Sequence, residues 1–548
     1  GDLNTITGWT GKYLGILTPS LKRPGTVVLA LTGLLIVLFV MYGKFGRGVE
    51  FFPNVEPETA SLEIRARGDY AVSEMDDIVR QVENRIIDMP EFESVYVRTG
   101  RGEREAEDVI GTVRLKLVNW RLRRPANQIL SEVRERTSDL AGIVIQTSTP
   151  RMGPSSGKPI NLELSSANPI VLEVATGQLR AALDALPGLI DVEDSRPLPG
   201  IEWKLTVDRA KAAEFNADIT VVGNTVQLVT NGMKIGEYRP DDADDEIDIR
   251  VRYPAEFRSL DQIDKLRVPS RGGMVPISTF VTRTPVQKVG TIQRSDMRRT
   301  LTVQADLVPG VLADDVVHRI KEALPGLDLD PRVDITFKGE DRDQREATEF
   351  LESALLIAVF MIAIILVTQF NSIFQAGLIL TAVLFSIGGV LLSLIISGMP
   401  FGIIMSGVGV ISLAGIVVNN NIVLIDTYNF LIKAGFEPVE AILRTCTQRL
   451  RPVMLTTVTT ILGLMPMVLG VNLDFLNRDI TIGAPSSQFW TQLATVIAGG
   501  LAFSTVVTLL LTPSLIVWQY NLMSRLRNWR EQSRRNKSLA EEPANQEV

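Results

Sequence analysis

Six long apolar runs, near 25–43, 351–370, 376–396, 402–425, 453–471 and 488–512, constrain this 548-residue chain more than any other feature. Each is about long enough to cross the hydrocarbon core of a bilayer as a helix, which takes roughly 20 residues. A segment in hydrocarbon must satisfy its backbone polar groups internally, so helices are expected there. A long polar region separates the first run from the other five. The fold expected is an α-helical membrane protein with six transmembrane helices and one large α+β extramembrane region.

Lysine and arginine near the ends of the spans set orientation. Lys12, Lys22 and Arg23 precede the first run. Lys433, Arg444, Arg449 and Arg451 lie between the fourth and fifth, and Arg525, Arg527, Arg530, Arg534, Arg535 and Lys537 follow the sixth. The opposite side carries "SGMP" and "NLDFLNRDITIG", with a single arginine. Both termini are therefore expected in the cytoplasm and the polar region in the periplasm of a bacterium, the spans in its inner membrane. The first run is too long for a cleaved signal and lacks a small-residue cleavage site. Before it, Trp9, Tyr13 and Leu17 are four apart, which fits an interfacial helix in segment 1–24; an ordinary loop is the alternative.

Other chemistry is sparsely represented. The net charge is −7, and no basic stripe points to nucleic acid. The single cysteine, Cys446, rules out an internal disulfide and a cysteine metal site. The single histidine, His318, lies in "DDVVHRIKEAL" and reads as a residue of a soluble helix. No GxSxG, HExxH or P-loop is present, so no enzyme is expected. The acidic run 241–248 lacks the spacing of an EF-hand loop.

The polar region alternates period-2 and helical patterns. "ASLEIRA", a helix through Ile78, Val79 and Val82, "ESVYVRT", "GTVRLKLV", a helix through Ile129 and Val133, and "GIVIQTS" give the order β-α-β-β-α-β. The pattern restarts at "INLELSS" and is completed much later by "TLTVQADL", a helix around Val316, and "RVDITFKG". Two ferredoxin-like subdomains are expected, one over 44–157 and one over 158–207 plus 296–348, with an insertion at 208–295. Spans two to six and their connections fill 349–520, and 521–548 is a cytoplasmic tail.

The most costly residues in the spans are amides. "SLAGIVVNNNIVLID" carries Asn419, Asn420 and Asn421 in succession. Helical residues rotate by about 100° each, so the three fan across about 200° and cannot share one partner. Asn419 and Asp426 share a face, as do Arg449 and Thr456 near the start of the fifth span. Such groups either bond helix to helix, at about 0.6–2 kcal/mol each, or serve function.

Three stretches resemble the resistance–nodulation–division (RND) transporter family: "FFPNVEPETASLEIRARGDYAVSEMDDIVRQVE", "GIVVNNNIVLID" and "RLRPVMLTTVTTILGLMPMV". The resemblance covers nearly the whole chain and implies the C-terminal half of a hydrophobe/amphiphile efflux permease associated with multidrug resistance. It implies proton antiport with no cofactor beyond the proton gradient. Asn419 matches the position that answers the paired aspartates of the N-terminal half, with Asn420, Thr456 and Arg449 as the other relay positions. Asn421, where a small residue is usual, and Thr459 are expected to pack helix to helix. The partners implied are an N-terminal half on the same or another polypeptide, further copies in a trimer, a periplasmic adaptor, an outer-membrane channel docking on 208–295, and the lipid bilayer. The opening without methionine and the polar end fit that assignment.

The loop "TGRGEREAEDVIG" (99–111) stands where multidrug members carry a Phe- and Gly-rich switch loop. Its charges make Arg101, Glu103, Arg104 and Glu105 candidates on a path for amphiphilic or charged cargo, the alternative being a solvated hairpin. Met152 and Met233 are isolated, and no methionine cluster marks metal export. A Sec-type translocation accessory and a lipid- or sterol-sensing receptor share the six-span layout. The first would need its own mid-membrane acid.

Overall fold

The computed structural model describes residues 7–540 except 67, 69, 101, 103–107, 151–152, 154–156, 197–199, 242–245, 271, 289–291 and 476–477. It opens with the helices α1 (Gly8–Lys22) and α2 (Pro24–Phe45). Leu14, Leu17 and Leu21 of α1 are buried, whereas Trp9 is 90% exposed. Tyr13 packs inward, and its hydroxyl donates to Leu509 O at 2.7 Å. An amphipathic helix lying along a membrane surface has this pattern.

The first sandwich follows. Strand Thr59–Ala66, helix α3 (Val72–Ile86), strands Phe92–Thr99 and Val109–Leu117, helix α4 (Ala126–Thr137) and strand Ile143–Ser148 succeed one another. The strands form one four-stranded sheet, with Val109–Leu117 and Thr59–Ala66 in the centre and the other two at the edges. All its pairings are antiparallel. Alternate residues Leu62, Ile64, Val113 and Leu115 face Val79, Val82, Ile129 and Val133 from the helices in a hydrophobic core. The period-2 and helical patterns of the sequence thus converge on one face of each element.

The second sandwich has the same connectivity. Strand Ile160–Ser166, helix α5 (Pro169–Ala185) and strand Leu189–Asp194 form its first part, and strand Arg298–Leu307, helix α9 (Ala313–Ala323) and strand Asp334–Gly339 its last. The two central strands are Arg298–Leu307 and Ile160–Ser166, and Gln293–Ser295 adds a short pairing at one edge. Leu162, Leu164, Leu179, Val303, Val316 and Ile320 are among its buried side chains.

Residues 197–292 make a separate compact unit. It contains α6 (Arg209–Glu214), α7 (Ile219–Val229), the hairpin of Met233–Tyr238 with Ile247–Val251, and α8 (Leu260–Lys265). Phe280, Val268 and Ile277 are buried at its centre. Strand Ile201–Val207 pairs along its whole length with Val281–Gln287. The insertion therefore begins before 201, not at 208, because the partner of "IEWKLTV" lies at the far end of the insertion and not in the second sandwich.

Five helices complete the chain: α10 (Glu340–Phe370), α11 (Ile373–Ser397), α12 (Ile403–Lys433), α13 (Pro438–Val468) and α14 (Pro485–Ala540). With α2 they are, among the described residues, the six helices long and apolar enough to cross a membrane. α10 starts earlier than the expected boundary at 349, because Gly339 turns the sheet directly into the helix. Its φ of +65° is open to glycine, and a Cβ there would lie 3.1 Å from Pro159 O. α14 packs against α2, α11, α12 and α13. A Cβ on Gly500 of α14 would come within 2.2 Å of Leu413 Cδ2, so this close helix approach depends on the missing side chain.

Two features between spans are absent from the sequence reading. Val49–Glu50 pairs in parallel with Phe401–Gly402, tying the exit of α2 to the turn before α12. The α13–α14 connection is a β-hairpin of Val471–Asp474 with Asp479–Ile482.

Candidate functional site

The three asparagines divide by burial. Asn421 is fully buried. Its Oδ1 accepts from Thr512 Oγ1 of α14 at 2.8 Å, and its Nδ2 donates to Val417 O at 3.4 Å. This is the expected bond from helix to helix. Asn420 is half-buried and Asn419 is exposed. On α13, Thr456 is exposed and donates to Val453 O at 2.9 Å. Thr459 also bonds within its own helix, to Leu455 O at 2.8 Å, and not to a neighbour as expected. The inward partner on this helix is Thr457, whose hydroxyl lies 3.0 Å from that of Thr505 in α14.

Arg449 is half-buried, and its Nε donates to Thr427 Oγ1 of α12 at 2.6 Å. The four expected relay residues are therefore not mutually bonded here. Arg449 ties α13 to α12, whereas Asn419 and Thr456 present polar groups on faces that this chain leaves open. The sequence reading missed a further amide pair. Gln375 Nε2 donates to Asn429 Oδ1 at 2.9 Å, and Asn429 Nδ2 returns a bond to Gln375 Oε1 at 3.0 Å, joining α11 to α12.

Arg101, Glu103, Arg104 and Glu105 lie outside the described residues. Charge gathers instead along a seam between the sandwiches. Arg65 of the first sandwich is 13% exposed; its Nη2 lies 2.6 Å from Glu193 of the second, and it also pairs with Glu63 at 2.9 Å and Asp108 at 3.3 Å. Glu193 in turn meets Lys158 Nζ at 3.2 Å, and that ammonium donates to Asp191 O. Burial pushes the Asp191 carboxyl above its ordinary range, opposed by Arg134 and Lys158. Asp191 Oδ2, Asn161 Oδ1, Gln146 Oε1, Arg65 Nε and Arg134 Nε have no hydrogen-bond partner among the described residues. Unpaired buried polar atoms are costly, so this seam is built for polar company. It is not legible in sequence, because its central pair, Arg65 and Glu193, comes from strands more than 100 positions apart.

A third cluster sits where the sandwiches meet the spans. Gln492 of α14 donates to Glu50 Oε1 at 3.0 Å and to Pro400 O at 2.7 Å. A Cβ on Gly402 would lie 2.0 Å from Gln492 Oε1. Burial pushes the Glu50 carboxyl up to about 7, against the bond from Gln492 and with the help of Glu340. Among the described residues, no group of three or more His, Cys, Asp or Glu is placed to hold a metal ion.

Residues 4–519 match the AcrB/AcrD/AcrF family. The chain belongs to this family of RND permeases. The match takes in nearly the whole chain as one stretch, so it gives no support to the expected N-terminal half, on the same or another polypeptide. The chain spans about half the length of the curated relatives it matches. It is 24% identical to the nickel and cobalt resistance protein CnrA of Cupriavidus metallidurans, over 94% of this chain and 48% of that protein. It is 26% identical to the cobalt-zinc-cadmium resistance protein CzcA of the same organism, over 93% of this chain and 49% of the relative. The multidrug resistance protein MdtC of Edwardsiella ictaluri is 26% identical over 73% of this chain and 38% of its own. A crystal structure of a heavy metal efflux pump superposes with a TM-score of 0.78 at 21% identity, covering 94% of this chain and 52% of that one. It shares this fold.

Proposed function

We propose that this family member works as an inner-membrane export permease whose cargo is a transition-metal cation. One observation carries the cargo class: the relatives named for metal resistance align over 93–94% of the chain, whereas MdtC relatives align over 65–73%. The amphiphile cargo expected from the sequence is replaced on that ground.

In this reading the two ferredoxin-like sandwiches lie in the periplasm, both termini in the cytoplasm, and the sandwiches part at the seam to pass cargo. The energy is a proton gradient. Asn419, Asn420 and Thr456 have no titratable group, and Arg449 joins them as a hydrogen-bond donor. Their part is to hydrogen-bond a proton-carrying acid in one of its two charge states, which biases the tilt of the helices. A trimer, a periplasmic adaptor and an outer-membrane channel, received by the unit 197–292, complete the pump.

Expression in a metal-sensitive bacterial host tests this. Tolerance to nickel, cobalt, zinc or cadmium should rise and cell-associated metal should fall by elemental analysis. Unchanged metal content with a gain in detergent or dye tolerance would overturn the cargo class.

A further inference from the structure

Glu50 and Gln492 share a set of polar atoms that is one donor short. Gln492 is 3% exposed, and both of its N–H groups are in use. Nε2 donates to Glu50 Oε1 at 3.0 Å and to Pro400 O at 2.7 Å. Its Oε1 is buried and has no hydrogen-bond partner among the described residues, a costly state for an amide oxygen. The same oxygen lies against Gly402, where a Cβ would stand 2.0 Å from it. Gly402 is the residue that faces Glu50 in the parallel pairing of Val49–Glu50 with Phe401–Gly402. The unpaired acceptor and the Glu50 carboxyl are therefore neighbours.

A carboxylate only accepts hydrogen bonds, whereas a protonated carboxyl also donates one. With a proton on Oε2, Glu50 can give that O–H to Gln492 Oε1 while its own Oε1 keeps the N–H it already accepts. Acid and amide then pair through two bonds, and the amide oxygen gains the donor it lacks. Burial acts in the same direction: it lifts the Glu50 carboxyl to about 7, and Glu340 at the start of α10 adds to the lift. Other ionisable groups stand around this segment. Tyr42 of α2 donates to Gly48 O at 3.1 Å. Asp315 Oδ1 of α9 lies 3.9 Å from where a Cβ on Gly48 would stand, and the Arg47 guanidinium lies against Gly398. The first turns of α12 and α14 carry no charged residue.

We propose that Glu50 and Gln492 form a proton-binding clasp, closed when Glu50 carries the proton and loosened when it does not. The clasp joins the exit of α2 to α14 and to the turn before α12. The same segment touches the second sandwich, since a Cβ on Gly48 would come within 2.9 Å of Leu312 Cδ1, just ahead of α9. Proton uptake thus fixes the ends of three spans to one another beside that sandwich, and proton release frees them. The clasp stands on this geometry, and on neither the cargo nor the energy source proposed above.

The test uses the whole chain in phospholipid nanodiscs. Cysteines replacing exposed Lys44 of α2 and exposed Ser486 of α14 carry spin labels, and the native Cys446 is fully buried, away from the reagent. With a pKa of about 7, the protonated share of Glu50 falls from about nine-tenths at pH 6 to about one-tenth at pH 8. The distance distribution between the labels should be at least about twofold broader at pH 8 than at pH 6. Glu50→Gln supplies the missing donor at every pH and should stay narrow at both. Gln492→Leu removes the clasp and should be broad at both. A parent distribution that ignores pH, or equal broadening in parent and Glu50→Gln, would overturn the clasp. As a second readout, infrared difference spectra between pH 6 and pH 8 should show the loss of a carboxylic-acid C=O band in the parent. That loss should be missing from Glu50→Gln; identical spectra would place the proton elsewhere and overturn the proposal.

Discussion

The hydroxyl of Thr512 donates a 2.8 Å hydrogen bond to the Oδ1 of Asn421, and both side chains are buried to 1% exposure or less. This pair joins α12 to α14 in the interior of the spans. Thr512→Val keeps the shape but strands the amide oxygen. The expected cost is about 1 kcal/mol, read as a lower unfolding temperature in detergent. The double variant Asn421→Leu, Thr512→Val should recover part of the loss, since removing both partners costs less than orphaning one.

Asn419 should behave in the opposite way. Its side chain is exposed and, among the described residues, no bond from another helix holds it, so Asn419→Ala should leave the unfolding temperature within about a degree or two of the parent. Export should nevertheless fall to the level of the empty host. Full metal tolerance in cells producing normal amounts of the variant would remove this residue from the relay.

Glu193 should matter to the seam. Glu193→Gln removes the carboxylate that both Arg65 and Lys158 approach. Arg65 keeps Glu63 and Asp108, so the expected loss is on the order of 1–3 kcal/mol. Cysteines placed across the seam should cross-link more slowly in the variant, reporting a wider separation of the sandwiches. An unchanged rate would mean that this ion pair does not hold them together.

Glu50 should give stability a pH dependence. Its folded pKa, about 7, lies above the value of 4.5 for the free side chain. The folded state then holds the proton more tightly than the unfolded one. Its contribution is fully present below about pH 4.5 and is lost as pH rises towards 7. Glu50→Gln keeps a group that Gln492 can bond and cannot ionise. Thermal scans between pH 5 and 8 should show a shallower fall in the variant than in the parent.

Periodicity made most of the architecture legible. The alternation at Leu62 and Ile64 and the helical spacing at Val79 and Val82 are each recorded within one element, and they survive folding unchanged. Pairing partners are not recorded that way. "IEWKLTV" alternates well enough to join either sheet, and only the position of Val281–Gln287 decides. The asparagines show the same limit. Helix geometry dictates that they diverge, but which one turns inward depends on where α14 packs. The seam was hidden for a related reason: Arg65 and Glu193 read as ordinary surface charges until two strands bring them to 2.6 Å.

The paired strands Ile201–Val207 and Val281–Gln287 have a consequence for how such proteins diversify. The chain enters and leaves the unit 197–292 on neighbouring strands, with Ile201 opposite Gln287, and so at a gap of about 5 Å. A segment with adjoining ends is an exchangeable cassette. It can be shortened, enlarged or replaced while the chain on either side of it keeps its course.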